Sequence, residues 1–178
     1  MERLQHAPIV THAPRAANWR YGKLLRAARE ESESMSLHGA YDPNNLFAKI
    51  LRGDVPAVKV YEDDTVMAFM DLYPQSRGHV LVVPKNVEAR NFLELPEARV
   101  APLMWHVHRL TKAVDKALKP DGITVTQFNG APAGQTIFHL HFHIIPRYEG
   151  VRLAGHGHSN QADIPELQKI AADIAAAL

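Results

Sequence analysis

The chain has no cysteine among its 178 residues. That excludes a disulfide framework, a thiolate metal site and a thiol nucleophile, and it is consistent with a reducing compartment. Long hydrophobic runs are missing too, so no stretch reads as a membrane span. Neither sign of charge dominates: 20 Lys and Arg face 19 Asp and Glu, for a formal net charge of +1. A broad nucleic-acid-binding surface is therefore not expected, although a small anion needs only local positive groups. The N-terminus carries Arg3, Arg15, Arg20, Lys23, Arg26 and Arg29 without the apolar run of a secretory signal. Pro8 and Pro14 interrupt any long amphipathic transit helix, so a cytoplasmic location is expected. What the chain has in abundance is histidine, eleven in all.

The chain divides into an N-terminal extension over 1–40, a compact domain over 41–150, and a C-terminal loop and helix over 151–178. The extension holds a short helical stretch near 19–30 and then a polar run. Asp42-Pro43-Asn44-Asn45 is a helix-start signal, followed by Leu46, Phe47, Ile50 and Leu51 at helical spacing and closed by Gly53 and Pro56. Runs of β-type residues follow at 58–61, 65–70 and 79–84, with Asp63-Asp64 as a hairpin turn. A long helix is predicted over 96–118, with Pro102 early in it. Two further strands are predicted at 123–128 and 137–145, and a last amphipathic helix over 164–178. Strands joined by short turns and mingled with helices argue for an α+β fold on a mostly antiparallel sheet.

The run His139-Leu140-His141-Phe142-His143 is the centre of interest. In a strand it would place three imidazoles on one face and Leu140, Phe142 and Ile144 on the other. Core packing would ordinarily use valine or isoleucine there. Two ligand chemistries remain open, a metal held by His-x-His and a phosphate. The flanks favour phosphate. Asn129-Gly130-Ala131-Pro132-Ala133-Gly134 offers backbone N–H groups, Gln135 and Thr136 add side-chain donors, and no carboxylate lies in the strand. A neutral imidazole, with an ordinary pKa of roughly 6.5, is a competent nucleophile at neutral pH. Donors around the phosphate would stabilise the transition state by about 3 kcal/mol each.

Residues 134–147, with this run at their centre, resemble the motif of the histidine triad (HIT) superfamily, in which three histidines alternate with apolar residues. Asn45-Leu46-Phe47-Ala48-Lys49-Ile50 resembles the family's opening helix. Phe69-Met70-Asp71-Leu72-Tyr73-Pro74-Gln75, followed by Gly78-His79-Val80-Leu81-Val82-Val83-Pro84-Lys85, resembles its central hairpin. The resemblance implies a HIT fold: a five-stranded, mainly antiparallel sheet with a long and a short helix, dimerising into a ten-stranded sheet. It implies an enzyme, a hydrolase of purine nucleotide conjugates of AMP or GMP that works through a covalent nucleotidyl-histidine and needs no cofactor or metal. His141 would be the nucleophile, His139 would orient it, His143 would contact the phosphate, and His79 would be the fourth family histidine. Leu46, Phe47, Ile50, Phe69 and Leu72 would form the base slot. Asp71 would accept from the ribose hydroxyls, and Asn129, Gln135 and Thr136 would lie along the phosphate and leaving group.

The context of Asp71 leans toward the Hint branch, a phosphoramidase, over the Fhit branch, which cleaves dinucleoside polyphosphates. A nucleotide-binding protein without turnover and a metal-dependent hydrolase are the further alternatives. Met70 stands where many Hint relatives carry histidine. The cysteine-containing zinc site of some bacterial relatives is not expected. His106 and His108 read as helix packing or surface, and His156-Gly157-His158 as a solvated loop.

Overall fold

The computed structural model describes residues 36–153 and 160–178. The helical stretch expected near 19–30 and the His156-Gly157-His158 loop lie outside these. Helix α1 (Leu46–Arg52) begins where Asn45 Oδ1 accepts the Ala48 N–H at 2.9 Å and ends at Gly53, in the left-handed conformation with φ 85°. Strands β1 (Lys59–Glu62) and β2 (Val66–Met70) are joined by a turn that Asp63 closes. Its Oδ1 accepts from the N–H groups of Thr65 and Val66 at 2.7 and 2.9 Å. Strand β3 (Val80–Pro84) follows Gly78, whose φ of 87° and close approach to the Leu118 side chain leave no room for a Cβ. Helix α2 (Glu97–Leu118) then crosses the sheet, with Pro102 inside it. Strand β4 (Gly122–Thr126), strand β5 (Phe142–Arg147) and helix α3 (Ile164–Ala175) complete the chain.

The five strands form one antiparallel sheet in the order β1-β2-β3-β5-β4, as expected. Both of its faces are covered. On one face Leu103, Val107, Leu110 and Val114 of α2 pack with Leu167, Ile170 and Ile174 of α3 over Ala68, Met70, Val80, Val82 and Ile144. On the other, Phe47 and Ile50 of α1 pack over Met67, Phe69, Leu81 and Val83. Hence β2 and β3 are buried at every position and read in the sequence as unbroken apolar runs.

Three features differ from expectation. The strand predicted over 137–145 starts only at Phe142, because its ladder with β3 ends at the Val82–Phe142 pair and the Leu140 N–H turns away to Ala89 O at 2.8 Å. The C-terminal helix, assigned to a region beyond the domain, packs into the domain's core, and the Ala162 N–H donates to Leu72 O at 2.9 Å. Residues just before 41, assigned to the extension, lean on the domain: Asn91 Nδ2 donates to Leu37 O at 2.7 Å. If α3 is part of the cooperative unit, Ile174→Ala, at a fully buried site, will lower the unfolding free energy by about 3 kcal/mol. Urea denaturation of the two proteins measures this, and a loosely attached helix would leave the midpoint unmoved.

Candidate active site

The face of the sheet under α1 carries the histidines. In register across it run Phe69, Leu81, His143 and Thr126. His143 is thus the one histidine of the run held in a strand. His139 and His141 sit just before the strand, where the backbone is no longer committed to a ladder. The His141 and His143 rings lie edge to face, 4.8 Å apart, and Phe47 stands edge-on to His141 at 4.8 Å. Phe128, which the sequence did not mark, packs on His143 at 5.3 Å. His79, His139, His141 and His143 are all buried.

His141 Nδ1 lies 2.6 Å from the carbonyl oxygen of His139. A carbonyl can only accept, so Nδ1 carries the ring proton and, in neutral imidazole, the nucleophilic lone pair belongs to Nε2. His139 therefore acts on His141 through its backbone. Its own ring points elsewhere: Nε2 is 3.3 Å from Pro84 O and Nδ1 is 2.6 Å from the Tyr41 hydroxyl. Burial pulls the His139 ring down to about 4, so it is neutral at ordinary pH.

His79 follows the Gly78 turn and reaches His143 with Nε2 3.0 Å from Nδ1. On its far side, Nδ1 receives the Gln75 N–H at 3.3 Å and lies 3.2 Å from Asp71 Oδ2. An ionised Asp71 can only accept, so it draws the His79 proton to Nδ1, whereas a protonated Asp71 donates to that nitrogen; Nε2 and His143 Nδ1 share the next hydrogen bond of the chain. Asp71 also accepts the Tyr73 N–H at 2.9 Å, yet burial outweighs that bond and pushes its carboxyl up to about 6. Asp71, His79 and His143 are a trio with donor atoms within 4.8 Å of one another. In the hydrogen-bonded chain His79 reaches Asp71 through Nδ1 and His143 through Nε2.

The loop before the run is rigid for reasons the sequence hid. Gln135 is buried, and its amide is committed: Oε1 accepts the Gly130 N–H at 2.8 Å, while Nε2 donates to Arg90 O at 2.5 Å and Ile137 O at 3.0 Å. The expectation that its side chain donates to phosphate is corrected accordingly; Gln135 braces the loop. Asn129 Oδ1 accepts the Phe92 N–H at 3.0 Å, and Thr136 is exposed at the surface of the loop. Arg90, fully buried with its guanidinium 4.8 Å above the Phe138 ring, is a supporting residue that no local motif announced.

Of the residues expected in the base slot, Phe47, Ile50 and Phe69 cluster on the histidine side and Leu46 stands exposed on the rim of α1. Leu72 does not join them: it packs against the helix-covered core on the opposite face, beyond the end of β2. His106 is buried on α2, with Nε2 3.1 Å from Thr65 Oγ1, and belongs to packing there.

This constellation defines a histidine-triad site, in which one imidazole is oriented by the backbone of another. Comparison with known proteins agrees. The HIT domain family matches residues 52–150, and the chain belongs to that family. A crystal structure of a Hit-like protein involved in cell-cycle regulation from Bartonella henselae superposes with a TM-score of 0.71 at 49% identity, covering 78% of this chain and 100% of that one. Adenosine 5'-monophosphoramidase hnt1 of Schizosaccharomyces pombe is 42% identical over 102 residues, 57% of this chain and 73% of that protein. Adenylylsulfatase HINT3 of Arabidopsis thaliana is 42% identical over 104 residues, 58% of this chain and 52% of that protein.

The raised Asp71 carboxyl has a consequence for stability. Folding favours its protonated form, so the native state binds more protons than the unfolded chain between the ordinary carboxylate range and about 6. The cost of the charge is absent at acid pH, grows as pH rises through that window and is complete above it. Asp71→Asn should therefore raise stability relative to wild type by about 1–3 kcal/mol at pH 7 and by almost nothing near pH 3. Paired urea titrations at the two pH values check this; a difference that shrinks with rising pH contradicts it.

Proposed function

We propose that this protein hydrolyses purine nucleoside monophosphate conjugates at the α-phosphate through a covalent nucleotidyl-His141 intermediate, with phosphoramidates as the preferred class. The observation that carries the reading is the 2.6 Å contact from His141 Nδ1 to the His139 carbonyl, which gives the nucleophilic lone pair to Nε2. The names of the two relatives, a monophosphoramidase and an adenylylsulfatase, both concern an adenosine monophosphate joined to a leaving group, which supports the same class.

In this reading the base lies against Phe47, Ile50 and Phe69, with Leu46 at the rim, and the ribose hydroxyls donate to Asp71. Asn129, Thr136 and the backbone of the loop border the phosphate and leaving group. His141 Nε2 attacks phosphorus. A nitrogen–phosphorus bond forms as the bond to the leaving nitrogen or oxygen breaks, and the leaving group takes a proton through the His79–His143 pair. The phosphorylated ring carries positive charge, which the His139 carbonyl stabilises from the Nδ1 side. Water then attacks phosphorus, the nitrogen–phosphorus bond breaks, the nucleoside monophosphate leaves, and the water proton returns to the histidine pair.

A homodimer is part of the same proposal. Strand β4 forms an edge of the sheet and Val125 stands 42% exposed on it, so a second copy pairing there would continue the sheet to ten strands. No helix among the described residues is long and apolar enough to cross a membrane, and a cytoplasmic location is proposed with the rest.

Incubation with adenosine 5'-phosphoramidate tests the reaction. Wild type should release AMP, and mass spectrometry of a quenched reaction should find one adenylyl group on His141. His141→Ala should lower kcat by at least about a thousandfold. Equal turnover by the two proteins would sink the mechanism.

A further inference from the structure

Tyr41 stands at the expected start of the compact domain and belongs to no motif. The family match begins later still, at residue 52. Yet the Tyr41 hydroxyl lies 2.6 Å from His139 Nδ1, and its ring meets the imidazole edge to face at 5.7 Å.

The direction of this bond follows from the other end of the ring. His139 Nε2 faces the Pro84 carbonyl at 3.3 Å, and a carbonyl only accepts, so the proton of the neutral ring is on Nε2. Nδ1 is then the acceptor and Tyr41 the donor. Burial pushes the Tyr41 hydroxyl above its ordinary value, which keeps it protonated for that purpose. The imidazole is thus clamped at both nitrogens. The backbone carbonyl of this same residue receives the His141 Nδ1–H.

The segment that leads into Tyr41 is docked on the domain. Asn91 Nδ2 donates to Leu37 O at 2.7 Å, and Arg90 Nη2 to Ser36 O at 3.3 Å. Gly130, with φ 82°, lets the phosphate-side loop approach this segment: a Cβ there would lie 3.4 Å from the Leu37 backbone. Arg90 is also the residue whose carbonyl holds Gln135.

We infer that Tyr41 is a positioning residue for the nucleophile, acting through His139, and that the segment from Ser36 to Tyr41 belongs to the reaction scaffold. The inference rests on the reading of His141 as the attacking group. Loss of the hydroxyl leaves a buried ring nitrogen without its donor. The ring then relieves that loss by rotating or by taking up a proton, and either change disturbs the carbonyl that orients His141.

Tyr41→Phe keeps the ring and removes only the donor. Its kcat for adenosine 5'-phosphoramidate should fall about tenfold while AMP affinity, measured by calorimetry, changes by less than about twofold. The acid limb of the kcat profile should move to higher pH, because a donor to the unprotonated nitrogen stabilises neutral His139. In ¹⁵N-resolved imidazole spectra, wild type should show His139 with its proton on Nε2 and His141 with its proton on Nδ1; Tyr41→Phe should disturb both. A variant with wild-type kcat and unchanged imidazole signals overturns the inference. So does one that loses kcat and AMP affinity in equal measure, since that would be general damage to the pocket. If wild type itself turns over no nucleotide conjugate, the proposed reaction fails separately, and the imidazole spectra still decide whether Tyr41 sets the two tautomers.

Discussion

The hydrogen bond from His141 Nδ1 to the His139 carbonyl is the constraint around which the site is arranged. It sets the tautomer of the His141 ring, and in the proposed reaction it would supply a neutral acceptor for positive charge on that ring. It also requires that the carbonyl of His139 not be used in a β-ladder. The chain meets that requirement by starting β5 only at Phe142 and sending the Leu140 N–H to Ala89. The irregular backbone ahead of the strand is thus a condition of this hydrogen bond.

The sheet beneath provides the rigidity that such a bond needs. With α2 and α3 on one face and α1 on the other, β2 and β3 have no exposed position. His143 is fixed in the register row that joins Phe69, Leu81 and Thr126, while His79 arrives from the neighbouring strand through the Gly78 turn. The buried imidazoles are hydrogen-bonded to specific protein partners. In a low-dielectric site each such hydrogen bond carries more weight than it would at the surface. The chain from Asp71 through His79 to His143 is the clearest case, since its burial alone holds a carboxyl near the titration range of imidazole.

Much of this was legible from residues alone. The turn at Asp63, the helix start before Leu46, the mainly antiparallel α+β sheet and the grouping of His79 with the histidine run all follow from local chemistry and motif. Other expectations failed for a common reason. Period-two alternation in His139–His143 predicts one shared face, but alternation cannot show where a ladder stops, and the His139 ring turns to Pro84 and Tyr41. Gln135 looked like a phosphate donor because its natural partners, the carbonyl of Arg90 and the N–H of Gly130, come together only in the fold. Leu72 belongs to the opposite core because β2 has already ended before it. The C-terminal helix lies outside the motif yet fills the core beside α2, a fact its amphipathic pattern announced without naming the surface it would cover.

The sequence by itself determined which groups are present: a run of imidazoles and no thiol, a loop rich in glycine and alanine, a carboxylate and a fourth histidine at a hairpin. It also determined the class of chemistry those groups can perform. Tertiary structure alone decided what stands opposite the two nitrogens of the His139 ring. A tautomer depends on whether the atom opposite each ring nitrogen can donate or only accept. For His139 those atoms, the Pro84 carbonyl and the Tyr41 hydroxyl, come from segments far along the chain. Local pattern describes a residue's own neighbours, and the setting of the His139 ring is made by these distant ones.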